Sequence, residues 1–136
     1  AYNYTQRCEY TTALWRTAQG TCLDDPYEDN DVMGAAWWVV PASYHNLQVC
    51  PGEEDWFALE VPPGASHLYF GATFSHAAGD LDIAVWDGGG TFLASSTSSD
   101  DDELIELGGL GSGWYYLQVY GYAGAGNAYG LSVNAY

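Results

Sequence analysis

From Trp56 onward the apolar residues of this chain recur with period two, and turn residues stand at every break, which is the signature of strands that bury one face. Phe57, Leu59 and Val61 form one inward row, with Trp56, Ala58 and Glu60 facing the other way, before Pro62-Pro63-Gly64 forces a turn. Leu68, Phe70, Ala72 and Phe74 form the next row. Leu81, Ile83 and Val85 follow, opposed by Asp82, Ala84 and Trp86, and Gly88-Gly89-Gly90 supplies a hairpin turn. Phe92 to Ala94 and Leu104 to Leu107 predict short strands on either side of a polar loop from Ser95 to Asp102. Tyr115, Leu117 and Val119 point inward while Trp114, Tyr116, Gln118 and Tyr120 point outward, and Tyr129, Leu131, Val133 and Ala135 close the set. Around seven strands at this spacing predict an all-β sandwich.

Composition agrees with that reading. Twelve Tyr, six Trp and four Phe accompany 17 Gly in 136 residues, with one Met and no Lys, so local propensity favours strands and tight turns. The length suits a single domain. A net charge of -16, with only Arg7 and Arg16 against 18 acids, repels phosphate backbones and anionic lipid surfaces, so neither nucleic acid nor membrane insertion is expected. No apolar run approaches the roughly 20 residues of a spanning helix. The chain starts at Ala1 and holds its only methionine at Met33, as if a leader had been cleaved, and three cysteines fit an oxidising extracellular location.

Charge is segregated along the sequence. Residues 22–60 carry nine acids, residues 61–106 carry eight, and residues 107–136 carry no charged side chain. The segment from Asp24 to Asp31 packs five carboxylates and the amide of Asn30 into eight residues, a density that suits an oxygen-seeking cation such as calcium. Asp80, Asp82 and the run Asp100-Asp101-Asp102-Glu103 are read as solvated surface, because Asp82 sits on the polar side of an alternating strand and the second run follows a serine-rich loop. Catalysis finds little footing: His45, His67 and His76 show no HExxH spacing, no Gly-x-Ser-x-Gly elbow occurs, and the glycines at 109, 111 and 113 precede a strand.

Residues 22–136 resemble the bacterial pre-peptidase C-terminal domain family, related to the collagen-binding domains of clostridial collagenases. The resemblance runs through Asp25 to Asp31 with Ala35 and Ala36, Gly52 to Phe57, Gly79 to Trp86, Ser99 to Glu103, Gly113 to Tyr122 and Asn127 to Val133. It implies a jelly-roll-like antiparallel sandwich without catalytic activity of its own. It also implies a calcium site carried by Glu28, Asn30, Asp31 and Asp55, with two departures: Pro26 and Gly52 stand where further acidic ligands are expected. A Cys22 to Cys50 bridge is favoured because it ties both walls of that site, leaving Cys8 spare; a Cys8 to Cys22 bridge is the competing arrangement.

Two further features call for explanation, the second of them outside the resemblance. Trp114, Tyr116, Tyr120 and Tyr122 form an outward aromatic row in an uncharged segment, a composition found at assembly and ligand surfaces. Residues 1–21 form an N-terminal extension in which Tyr2, Tyr4, Cys8, Tyr10 and Leu14 alternate with polar neighbours, an added strand suited to docking on another copy. Two functions follow. One is a secreted, calcium-stabilised structural protein whose partners are copies of itself, assembled into a filament or surface layer. The other is a module that targets a secreted hydrolase to an extracellular protein or glycan, collagen-like or polysaccharide. A targeting module is expected beside a catalytic domain, whereas these residues hold one domain and an extension, which favours assembly.

Overall fold

The computed structural model describes residues 30–97 and 101–136. These residues form two sheets packed face to face. One has five strands in the order β1-β3-β8-β5-β6 and the other four in the order β2-β9-β4-β7. The strands are β1 (Trp37–Val39), β2 (Ala42–Val49), β3 (Glu54–Val61), β4 (Leu68–Thr73), β5 (Leu81–Asp87), β6 (Phe92–Ser96), β7 (Asp102–Leu107), β8 (Gly113–Gly121) and β9 (Asn127–Ala135). All pairings are antiparallel except that of β1 with β3. The expectation of an all-β, jelly-roll-like sandwich therefore holds for the described residues. The domain boundary and the N-terminal strand segment lie outside them.

The inward rows read from the sequence meet between the sheets. Phe57, Leu59, Val61, Leu81, Ile83, Val85, Leu117 and Val119 of one sheet face Leu68, Phe70, Ala72, Leu131 and Val133 of the other, and all are buried. Each such side chain contributes roughly 1.5–3 kcal/mol on leaving water, so alternation alone is enough to set which face of each strand turns inward.

Two strands escape that reading. In β2 the register with β9 runs from Tyr44 opposite Leu131 directly to Leu47 opposite Tyr129, and Asn46 takes a left-handed φ of 61°. This bulge inserts one residue into the inward row of Tyr44, Leu47 and Val49, so the spacing becomes three and then two, and period two is lost. Strand β1 is three apolar residues long, too short to show any alternation. The residues just before it form a short 3-10 turn, Met33–Ala35.

Turn chemistry is local and legible. Asp87 Oδ1 accepts from the amides of Gly89 and Thr91, each at 2.9 Å, and Gly90 takes φ 85°, so the three-glycine hairpin between β5 and β6 is held by one carboxylate. The serine-rich connection is shorter than expected, since Ser95 and Ser96 belong to β6.

Candidate ligand surface and metal sites

Residues opposite one another in a ladder share a face. Trp38 of β1 pairs with Ala58 of β3, Ala58 with Tyr116 of β8, Tyr116 with Trp86 of β5, and Trp86 with Phe92 of β6. Four aromatic rings and one alanine thus form a row across the whole five-stranded sheet, on the face turned away from the core. Four gaps of about 4.8 Å give the row a length of roughly 19 Å. Trp38 is 74% exposed, Phe92 50% and Trp114, which lies beside the row, 41%.

The rings brace one another. Trp38 and Trp114 lie 5.3 Å apart between centroids, Trp56 and Trp86 6.0 Å, and Trp86 meets Phe92 edge-on at 5.4 Å. Trp86 Nε1 donates to Gln118 Oε1 and Trp56 Nε1 to Glu54 Oε1, both at 2.9 Å, so these indoles are held in place instead of rotating freely. Of the aromatic residues read from the sequence, Trp114 and Tyr122 are exposed while Tyr116 and Tyr120 are half-buried. Tyr122 stands beyond β8 in the turn Tyr122–Gly124. Trp38, Trp86 and Phe92 complete the surface and were not singled out from the sequence; Trp86 alone carried a signal, as a large apolar residue on the polar side of its strand.

The outer face of the other sheet is different in kind. Ser43 and Ser132 face each other there at 3.1 Å between hydroxyls, with Gly71 next in register. Tyr69 lies on that face too, its ring over Gly71, but the aromatic row belongs to the five-stranded sheet.

Of the calcium residues implied by the resemblance, Glu28 lies outside the described residues, and the fold brings Asn30 and Asp55 together. Asn30 Nδ2 donates to the carbonyl of Trp56 at 3.0 Å, and the Asn30 carbonyl accepts from the Trp56 amide at 2.8 Å, which ties residue 30 alongside the start of β3. Asp55 is 1% exposed because it faces inward, opposite Val119. Its Oδ2 accepts a hydrogen bond from Tyr129 Oη at 2.5 Å, which joins β3 to β9 across the end of the core. Asn30 Oδ1 is buried with no hydrogen-bond partner. A buried amide oxygen left in that state next to acidic side chains fits a cation better than an apolar neighbour. Asp31 follows directly and is partly buried. Gly52, where an acid is expected, takes φ 80°, a conformation that favours glycine. Cys50 is buried beside this loop, whereas Cys8 and Cys22 lie outside the described residues.

The reading of Asp80, Asp82 and Glu103 as solvated surface is corrected by the structure. Asp82 and Glu103 are 3% and 1% exposed, and one carboxylate oxygen from each of the three lies within 4.8 Å of the others. Strand β7 sits next to β4 in its own sheet, and its start brings Glu103 against β5 of the other sheet. Glu103 also accepts a hydrogen bond from the Ser96 hydroxyl of β6. Burial first, then the charges of Asp80 and Glu103, pushes the Asp82 carboxyl up to about 6. Burial first, then the charges of Asp82, Glu54 and Glu103, raise the Tyr120 phenol. Alternation along β5 misled here because the polar side of a strand is solvated only where nothing packs over it.

No helix among the described residues is long and apolar enough to cross a membrane. No family model matches the chain, and no curated protein matches it. Among solved structures it is similar to the pre-peptidase C-terminal domain of a collagenase from Bacillus anthracis, at 17% identity, over 73% of this chain and 94% of that one, with a TM-score of 0.56. It is more distantly similar to PliG of Aeromonas hydrophila, a periplasmic inhibitor of g-type lysozyme, at 17% identity over 74% of this chain and 97% of that one, TM-score 0.47. A structure of CBM51-2 and INT domains from Clostridium perfringens ZmpB aligns at 11% identity over 66% of this chain and 21% of that one, TM-score 0.44. The last two add nothing to the assignment of the fold. The first agrees with the motifs that run from Asp25 to Val133, and the chain carries the β-sandwich fold of a pre-peptidase C-terminal domain.

Proposed function

We propose that this chain is a secreted, non-catalytic module that holds a hydrolase to an extracellular polymer, and that the polymer is a neutral polysaccharide stacked along the aromatic row. The row from Trp38 to Phe92 is the observation that carries this reading. Each indole or phenyl face is electron-rich and attracts the polarised C–H edges of a sugar ring, while the flat ring excludes water from that contact. A row about 19 Å long suits an extended chain of sugars better than a single ring. The net charge of -16 disfavours anionic polymers, and the uncharged side chains of the row suit a neutral one.

Calcium supports the module in this reading. Glu28, Asn30, Asp31 and Asp55 would hold the ion, which neutralises crowded carboxylates and fastens the segment before β1 to β3. A Cys22 to Cys50 bridge would fasten the same place covalently. The filament reading rests on residues 1–16, outside the described residues, and the aromatic face does not need a second copy to account for its chemistry.

Co-sedimentation of the full chain with insoluble neutral polysaccharides and with fibrillar collagen tests the proposal. Retention on a polysaccharide is expected, weakened at least about tenfold, or about 1.4 kcal/mol, in a Trp38→Ala/Trp86→Ala variant with unchanged circular dichroism. Retention on collagen alone would transfer the row to a protein ligand. Retention on neither would refute the targeting function.

A further inference from the structure

The three clustered carboxylates, those of Asp82 and Glu103 buried and that of Asp80 half-buried, are none of the residues of the calcium site that the resemblance implies. Asp80 immediately precedes β5, Asp82 is the second residue of that strand, and Glu103 is the second residue of β7. We propose that Asp80, Asp82 and Glu103 form a second divalent-cation site, of the oxygen-ligated kind that calcium fills, which ties the five-stranded sheet to the four-stranded one.

Asp82 is 97% buried, the complement of its 3% exposure, its Oδ1 has no hydrogen-bond partner, and one of its carboxylate oxygens lies within 4.8 Å of an oxygen of Asp80 and of Glu103. Asp80 Oδ1 is also buried without a hydrogen bond, with His76 Nε2 3.5 Å away. A buried carboxylate oxygen that accepts nothing is costly, and two beside a third acid are more so, because each charge opposes the others where water cannot screen it. A divalent ion removes both costs at once.

Ligand chemistry indicates which kind of ion, since carboxylate oxygens are the hard donors that calcium takes. One oxygen from each of the three lies within 4.8 Å of the others, close enough to share a single ion. Three carboxylates offer six oxygens at most, which meets the lower end of calcium's coordination and leaves room for water. The Ser96 hydroxyl that donates to Glu103 fixes the direction of one ligand, as supporting hydrogen bonds do in metal sites.

The test counts ions on the full chain. The protein is stripped with chelator, dialysed against calcium at neutral pH, and its bound calcium measured by atomic emission. Asp82→Asn and Glu103→Gln should each bind one calcium fewer per chain than wild type, whether or not the site at Asn30 and Asp55 is filled. In excess chelator Asp82→Asn should melt above wild type, because one of three opposed charges is gone. Equal calcium content in wild type and both variants overturns the proposal. Should the variants fail to fold, crystals of wild type grown in calcium decide: an ion ligated by all three carboxylates supports the site, and a proton-sharing carboxyl pair there overturns it.

Discussion

Tyr129→Phe removes one oxygen atom and asks what the buried hydrogen bond to Asp55 contributes. The donor is on β9 and the acceptor on β3, both are buried, and the oxygens are 2.5 Å apart. A hydrogen bond to a charged group is worth about 1.5–3 kcal/mol, and removing the donor leaves a buried carboxylate that has lost a partner. A loss of about 2–3 kcal/mol is therefore expected, which for a domain of this size lowers the melting temperature by roughly 10 °C. Urea unfolding at neutral pH measures the difference, with the slope of the transition unchanged if the fold is intact. Tyr44→Phe is the control. Its hydroxyl donates to the Val40 carbonyl at 2.8 Å and accepts from the Val40 amide at 3.0 Å, both exposed to water that can replace it, so its removal should cost no more than about 1 kcal/mol. A Tyr129→Phe protein within about 0.5 kcal/mol of wild type would refute the reasoning, since the Asp55 carboxylate would then be stabilised by other groups. A cycle with Asp55→Asn should show coupling of at least about 1 kcal/mol between the two positions.

Chelation should lower the melting temperature, because calcium present at a hundredfold its dissociation constant stabilises by about 2.7 kcal/mol, and Asp55→Asn should reduce that calcium-dependent gain. Gly121→Ala should destabilise by about 3 kcal/mol in thermal or urea unfolding, since a Cβ there would stand 1.5 Å from the Ala125 carbonyl oxygen at the turn after β8. The Tyr136 hydroxyl donates to Glu106 at 2.7 Å, and that bond holds its phenol above the usual tyrosine range. Ionising it loses the bond and sets two negative charges together, so stability falls as pH rises through the tyrosine range; in an absorbance titration Glu106→Gln should move one tyrosine to lower pH.

The sequence by itself determined the class of fold and most of the core. Alternation in β3, β4, β5, β8 and β9 set which side chains turn inward, because a strand has only two faces and apolar residues occupy one of them. It also marked Asn30 and Asp55 as metal candidates, since acid density and family motifs are local properties. What it did not hold was the relation between strands. The bulge at Asn46 broke the period of β2, and the three-residue β1 had none to break, so the partner that brings Trp38 onto the edge of the five-stranded sheet was invisible. Trp38 lies 48 residues before Trp86, and only ladder register through β3 and β8 places it in one row with Trp86 and Phe92. Asp82 and Glu103 read as solvated because polarity in one strand says nothing of what another sheet lays against it. The start of β7 brings Glu103 to β5, and only that approach gathers the three acids, two of them buried, into one cluster.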